Sequence, residues 1–158
     1  MSNEVEIKRA NWPNGRPKYE HPYKDGEPHG LWRRWYEDGQ LMYEHPYEHG
    51  EPHGLWQAWH ENGQPEYEYP HEDGKRRGTC RGWHENGQPD YEYPYKDGKL
   101  HGTCSGWNED GQLAYEERYK YGKPHGLCRG WNKDGLPMYE EYYRDGRLVT
   151  PPSEGERS

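Results

Sequence analysis

The chain has 158 residues, enough for one domain of ordinary size and short for two independent cores. Leu, Ile and Val total 11, Phe is absent, 32% of the residues are charged and the net charge is −8, which excludes an aliphatic core and by composition alone points to disorder. An aromatic core stays open, because the chain carries 8 Trp and 16 Tyr.

The same balance narrows the function. No run of 18 apolar residues and no basic-then-apolar start are present, so neither a membrane-spanning helix nor a cleavable signal is expected, and the protein is expected in the cytoplasm. Net acidity with scattered Lys and Arg argues against a grip on a nucleic-acid backbone or an anionic membrane. Ser and Thr number seven, three of them in the last nine residues, which leaves little for a serine nucleophile or a hydroxyl-lined phosphate loop.

In chain order, residues 1–11 are expected to be a frayed lead-in. A leading half unit runs from Trp12 to Tyr23, and five full units of 24 residues follow, so that one repeat domain spans 12–149. Three glycine ladders carry the period: one from Gly26 to Gly146, one from Gly30 to Gly126 and one from Gly15 to Gly135. Trp35, Trp59, Trp83, Trp107 and Trp131 follow it, as does the Tyr19 to Tyr139 ladder, each Tyr preceding a Glu. A fixed period of this size means stacked units, none of which buries its own face without a neighbour. The tail 150–158, rich in Pro, Ser, Glu and Gly, is expected to be disordered.

Within a unit, the segments 30–36 and 40–47 are short, aromatic-rich and separated by Glu-Asp-Gly, a hairpin signal that Glu-Asn-Gly or Lys-Asp-Gly replaces in later units. The second connection, 24–30, is longer, carries another Asp-Gly, and contains Pro28, which argues against a helix. The expected fold is therefore all-β: a single-layer antiparallel meander of 24-residue hairpin repeats, about a dozen strands, growing in one direction. Two registers compete. A two-residue turn at Asp38-Gly39 puts Tyr43 on the face of Trp32 and Arg34, whereas a type I turn with a glycine bulge puts it with Trp35. The second is favoured, because it gathers the two most regular aromatic ladders onto one surface.

The spacing Tyr-x-x-Gly-x-x-His-Gly-x-x-x-x-Trp-x-x-x-Gly-x-x-x-Tyr, as in Tyr23 to Tyr43 and Tyr47 to Tyr67, resembles the MORN repeat, and more closely its bacterial variant in proteins labelled antitoxin-like. The resemblance covers about 135 residues and implies an elongated single sheet, sometimes dimeric, that binds proteins. Lipid binding is also claimed for MORN arrays. The chain departs from the pattern in its richness in Trp, His and Pro.

A residue present in every copy is most economically structural, and a residue that breaks the pattern is the better functional candidate. The clearest break replaces Trp32 and Trp56 by Cys80, Cys104 and Cys128, and Arg34 and Ala58 by Gly82, Gly106 and Gly130. Either curvature tightens along the sheet, or a shallow trough lies beside two protruding indoles. The second alternative makes Trp32, Trp56, Arg33, Arg34, Arg81 and Arg129 the candidate binding residues, with the arginines available to carboxylate or phosphate. The cysteines sit two strands apart, too far for a disulfide or a shared zinc, and their odd number suits a reducing compartment. His29, His53, His101 and His125 form a ladder interrupted by Arg77 and read as loop structure, with at most a weak surface metal site at His21, His45 and His49. Glu116-Glu117 and Glu140-Glu141 alternate faces, cannot line one cleft, and read as solvated.

No unit assembles a nucleophile, a base and an orienting group, so no enzyme, catalytic residue, metal or cofactor is expected. The leading expectation is a non-catalytic interaction protein that binds and neutralises a partner protein, the antitoxin or immunity role being what the resemblance implies. The alternative is sequestration of a small nucleotide-like ligand by aromatic and Arg side chains. Exposed edge strands make a homodimer credible.

Overall fold

The computed structural model describes residues 4–151, which form one continuous antiparallel sheet with no helix among them. The strands are β1 Val5–Asn11, β2 Pro17–Lys24, β3 Glu27–Pro28, β4 Gly30–Trp35, β5 Leu41–Glu48, β6 Glu51–Pro52, β7 Gly54–Trp59 and β8 Pro65–Glu72. They continue as β9 Lys75–Arg76, β10 Gly78–Trp83, β11 Pro89–Lys96, β12 Lys99–Leu100, β13 Gly102–Trp107, β14 Leu113–Lys120, β15 Lys123–Trp131, β16 Pro137–Arg144 and β17 Arg147–Val149. Each short segment β3, β6, β9 and β12 leads into the strand after it, so the seventeen segments reduce to nearly the dozen strands expected. Every strand pairs with its sequence neighbours.

The described part of the lead-in, residues 4–11, is not frayed. Val5 to Asn11 pair with β2 from Lys24 to Pro17 and complete the leading half unit as a full hairpin. Arg9 bonds Glu20 as Arg33 bonds Glu44 one unit later, so the repeat geometry begins before the repeat signature is recognisable in sequence. The tail from residue 152 lies outside the described residues, as do residues 1–3.

Both connections are tight; neighbouring units are tied at the second turn throughout, and at the first turn from the first hairpin to the fifth. At the first, the Gly39 N–H donates to the Tyr36 carbonyl and the Tyr36 N–H to that of Gln40, with Gly39 at φ 98°, which is a type I turn closed by a glycine bulge. At the second, Asp25 and Gly26 both have positive φ and Lys24 faces Glu27, a two-residue turn of the mirror-image type. Asn14, Asn62 and Asn86 donate to the carbonyls of Glu37, Glu85 and Glu109 in the adjoining turns. At the other end, the N–H groups of Gly50, Gly74, Gly98, Gly122 and Gly146 donate to carbonyls of the preceding unit. These bonds satisfy turn backbone that a lone hairpin would leave to water.

The register corrects the favoured expectation. The glycine-bulge turn is present, but a second irregularity between Arg34 and Trp35 cancels its one-residue shift, so Arg34 faces Tyr43 and Trp35 faces Leu41. The same shift recurs in every hairpin, at Ala10/Asn11, Ala58/Trp59, Gly82/Trp83, Gly106/Trp107 and Gly130/Trp131. The Tyr43 ladder therefore shares its face with Trp32 and Arg34, not with Trp35.

Prolines sit inside the sheet at 22, 46, 70 and 94, where a missing N–H would ordinarily break a ladder. Each is tolerated because the neighbouring strand is displaced there: the Pro22, Pro46, Pro70 and Pro94 carbonyls accept from the N–H of His29, His53, Arg77 and His101, between the short segment and the longer strand. Arg118 takes the equivalent place in the fifth unit, and β15 runs unbroken beside it.

Candidate functional site

The two faces of the sheet have different chemistry. On one, Arg9, Arg33, Arg81 and Arg129 reach across to Glu20, Glu44, Glu92 and Glu140 at 2.6–3.2 Å, and Gln57 donates to Glu68. These pairs are solvated, so each is worth roughly 0–1 kcal/mol. On the other face, tyrosines and histidines stack along each strand: Tyr19 on His21, Tyr43 on His45, Tyr67 on Tyr69 and Tyr91 on Tyr93, with centroids 4.3–4.7 Å apart. Such contacts contribute about 0.5–1.5 kcal/mol each beyond the area they bury, so the aromatic face dominates.

The same rings also bond between units. His21 meets Tyr43, His45 meets Tyr67, Tyr69 meets Tyr91 and Tyr93 meets Tyr115, while Tyr139 donates to Glu117 at 2.9 Å. Burial pushes the phenols of Tyr67 and Tyr139 up to about 12 and holds His45 down at about 4, so these rings are neutral at pH 7; the network ends on glutamates. Those glutamates correct the solvated reading. Glu117 also accepts from Tyr119 at 2.9 Å, and Glu141 accepts from Tyr143 at 2.7 Å.

The predicted binding residues are split by this arrangement. Trp32 and Trp56 do not protrude: each indole stacks at 4.2 Å on His21 or His45 and donates to the carbonyl of Pro22 or Pro46. Arg34 lies on their face opposite Tyr43, whereas Arg33, Arg81 and Arg129 belong to the other face and are paired with glutamates. The lost bulk is largely refilled by tyrosine rings, and a cavity of about 430 Å³ remains at the far end, lined by Cys128, Pro124, Glu117, Glu141 and Tyr139, four strands or more from the two indoles. The Tyr91, Tyr115 and Tyr139 rings lie over Gly82, Gly106 and Gly130, so that a Cβ at any of the three would overlap a ring. Cys80, Cys104 and Cys128 are buried, free thiols at the Trp32 position, and burial pushes Cys80 and Cys104 up to about 11 and about 12. They fill space and are protonated at neutral pH.

A cleft of about 620 Å³ opens at the glycine-bulge turns of the third and fourth hairpins. Tyr67, Tyr69, Tyr91 and Trp83 supply its aromatic wall, and Glu66, Glu85, Asp90 and Glu109 line it with carboxylates. His60 and His84 are committed to structure, their Nε2 atoms meeting the carbonyls of Trp83 and Trp107 at 2.8 and 2.9 Å. Among the described residues, no Lys or Arg pairs with any of the four carboxylates, and Asp90 meets only His84, at 3.6 Å. Their joint field extends one unit away: Tyr36 is raised by burial and then by Glu66, Glu61 and Glu85. Uncompensated carboxylates beside half-buried aromatic rings attract a cation, and Arg76 already lies 4.6 Å over the Tyr69 ring. Sequence reading missed this cleft, although a signal existed. The bulge position occupied by Met42, Ala114 and Met138 is acidic only as Glu66 and Asp90.

A single-layer sheet of hairpins, each locked to the next through turns and rings, is a repeat protein that offers two broad faces and two rows of turns. The MORN repeat variant model matches residues 28–49, 52–75, 76–97 and 100–121, and with more than half of the chain covered, the protein belongs to that family. Repeats of this family mediate binding and interaction. The comparison with curated proteins gives no match.

Proposed function

We propose that this protein is a non-catalytic binder that neutralises a partner protein, in the manner of an antitoxin or immunity protein, and that the acidic aromatic cleft is where it takes hold. The observation behind this reading is the set Glu66, Glu85, Asp90 and Glu109, four carboxylates without a Lys or Arg partner beside Tyr67, Tyr69, Tyr91 and Trp83. A Lys or Arg side chain of a partner gains cation–π contact and ion pairing there, and residues of this kind anchor interfaces. The net charge of −8 draws a basic partner from a distance. Three free thiols accord with a reducing, cytoplasmic setting. Nucleotide sequestration by the arginines first singled out is less supported, since Arg33, Arg81 and Arg129 already bind glutamates.

The test is capture from host extract, with identification and co-expression of what is captured. Wild type should retain a partner and relieve its toxicity. The Glu66→Gln, Glu85→Gln double variant should keep the fold, because neither side chain makes a hydrogen bond or ion pair within the described residues, and should lose both functions with the two charges. Undiminished capture by that variant would refute the cleft, and no capture by wild type at low salt would refute the function. Sedimentation of the full chain shows whether β1, with Val5 and Ile7 exposed on its free edge, pairs two copies as a homodimer.

A further inference from the structure

At the opposite row of turns, the fifth and sixth hairpins carry a second cleft of about 350 Å³ with reversed electrostatics. Arg118, Lys120, His101 and His125 line it together with Tyr119 and Tyr142, and no carboxylate does. Arg118 is the feature that breaks the repeat. In the earlier units its place belongs to Pro22, Pro46, Pro70 and Pro94, whose ring carbons lie 2.9–3.7 Å from where Gly30, Gly54, Gly78 and Gly102 would carry a Cβ. The Arg118 stem reproduces that packing, with its Cδ 3.0 Å from the corresponding point on Gly126. Its methylenes do the structural work of the proline ring. The guanidinium is surplus to the fold: Arg118 is exposed and, among the described residues, forms no side-chain hydrogen bond or ion pair. A second observation is independent of it. The Nδ1 of His101 is buried and has no hydrogen-bond partner, although buried ring nitrogens are ordinarily paired. The Nδ1 of His125, by contrast, is engaged: it accepts from the Asp145 N–H at 3.3 Å and lies 3.2 Å from the Asp145 carboxylate, which stands just outside the cleft lining.

We infer that this cleft binds the phosphate monoester of a small organic molecule, with Arg118 and Lys120 holding the dianion, His101 completing its hydrogen bonding, and the Tyr142 ring flanking the organic part. Arg supplies a planar fork that matches phosphate oxygens, and Lys adds a compact charge. The cleft volume suits a small ligand more than a macromolecular surface. It lies at the other turn row from the acidic cleft, so the two sites are tested separately.

The experiment is calorimetric titration of the full chain at low ionic strength with inorganic phosphate, a sugar phosphate and a nucleoside 5′-monophosphate. Folding of each variant is verified by far-UV circular dichroism. Wild type should bind at least one phosphate ester, and Arg118→Met, which keeps the stem, should bind it about tenfold or more weakly. Lys120→Gln should weaken it as well, while Glu66→Gln should leave it unchanged. Tighter binding of an ester than of inorganic phosphate supports contact between its organic part and Tyr142, and equal affinity for all three probes overturns the ester assignment. Binding of none of the three by wild type, or undiminished binding by folded Arg118→Met, overturns the inference.

Discussion

At the scale of single residues, the protein is held by neutral rings that must stay neutral. His45 shows the consequence. Burial, with His71 and His21 adding to it, holds its ring down at about 4, below the ordinary value near 6.5, and burial also lowers His21 and His71. An unfolded chain protonates these histidines more readily than the native one does. Their contribution is therefore fully present above pH 6.5 and is lost as the pH falls toward 4. The substitution His45→Tyr copies what the chain itself uses at Tyr69 and Tyr93, keeping the stack and the bond to Tyr67 while removing a titratable ring. Thermal melting should show the wild-type midpoint dropping between pH 7 and pH 5, and dropping less in the variant. Equal drops would mean that His45 is not the acid-sensitive group.

At the scale of the strand pair, the unit of construction is a tyrosine lying over a neighbour's glycine. Gly106 is flanked by Tyr91 on one side and Tyr115 on the other, and the Tyr115 ring occupies the space a side chain would need. The backbone there is ordinary extended strand, so the requirement is room and not conformational freedom. Gly106→Ala should cost about 1–3 kcal/mol in urea unfolding, the usual range for overpacking. A change below about 0.5 kcal/mol would show that the ring swings aside at no cost. The bulge after residue 34 and its equivalents belong to this scale as well. The turn type was legible in Glu-Asp-Gly and Glu-Asn-Gly, since glycine at the bulge needs positive φ. The compensating bulge was not legible, because Leu41 and Met42 carry no composition that marks an inserted residue. One unmarked residue exchanged the faces and moved Trp32 from a protruding anchor to a packed ring.

For the whole molecule, cohesion is local in sequence and repeated. Each hairpin touches only its neighbours, through rings on one face, ion pairs on the other, and hydrogen bonds between turns. Stability should then be close to a sum of unit and interface terms. Removing one 24-residue period, residues 78–101, joins Arg77 to Gly102, a junction equivalent to the native Arg77-Gly78. That shortened chain should fold with a single transition and a urea m-value reduced roughly in proportion to the surface lost. Two separate transitions, or loss of the β circular dichroism signal, would mean that the sheet depends on contacts beyond nearest neighbours. The row of glycine-bulge turns is acidic around Glu66 and Asp90 and the other row is basic around Arg118 and Lys120, a polarity that appears only when all the units are aligned.

The period, the all-β class and the hairpin turns were determined by the sequence alone, because glycines at fixed intervals impose turns wherever they stand and a core of rings must recur to become continuous. The tertiary structure decided which residues share a face, since period-two alternation turns a single bulge into an exchange of sides. It also decided that Arg33, Arg81 and Arg129 spend their charge on glutamates one strand away. The two clefts arise where units differ from their neighbours, and a difference between copies becomes a site only once the copies lie side by side.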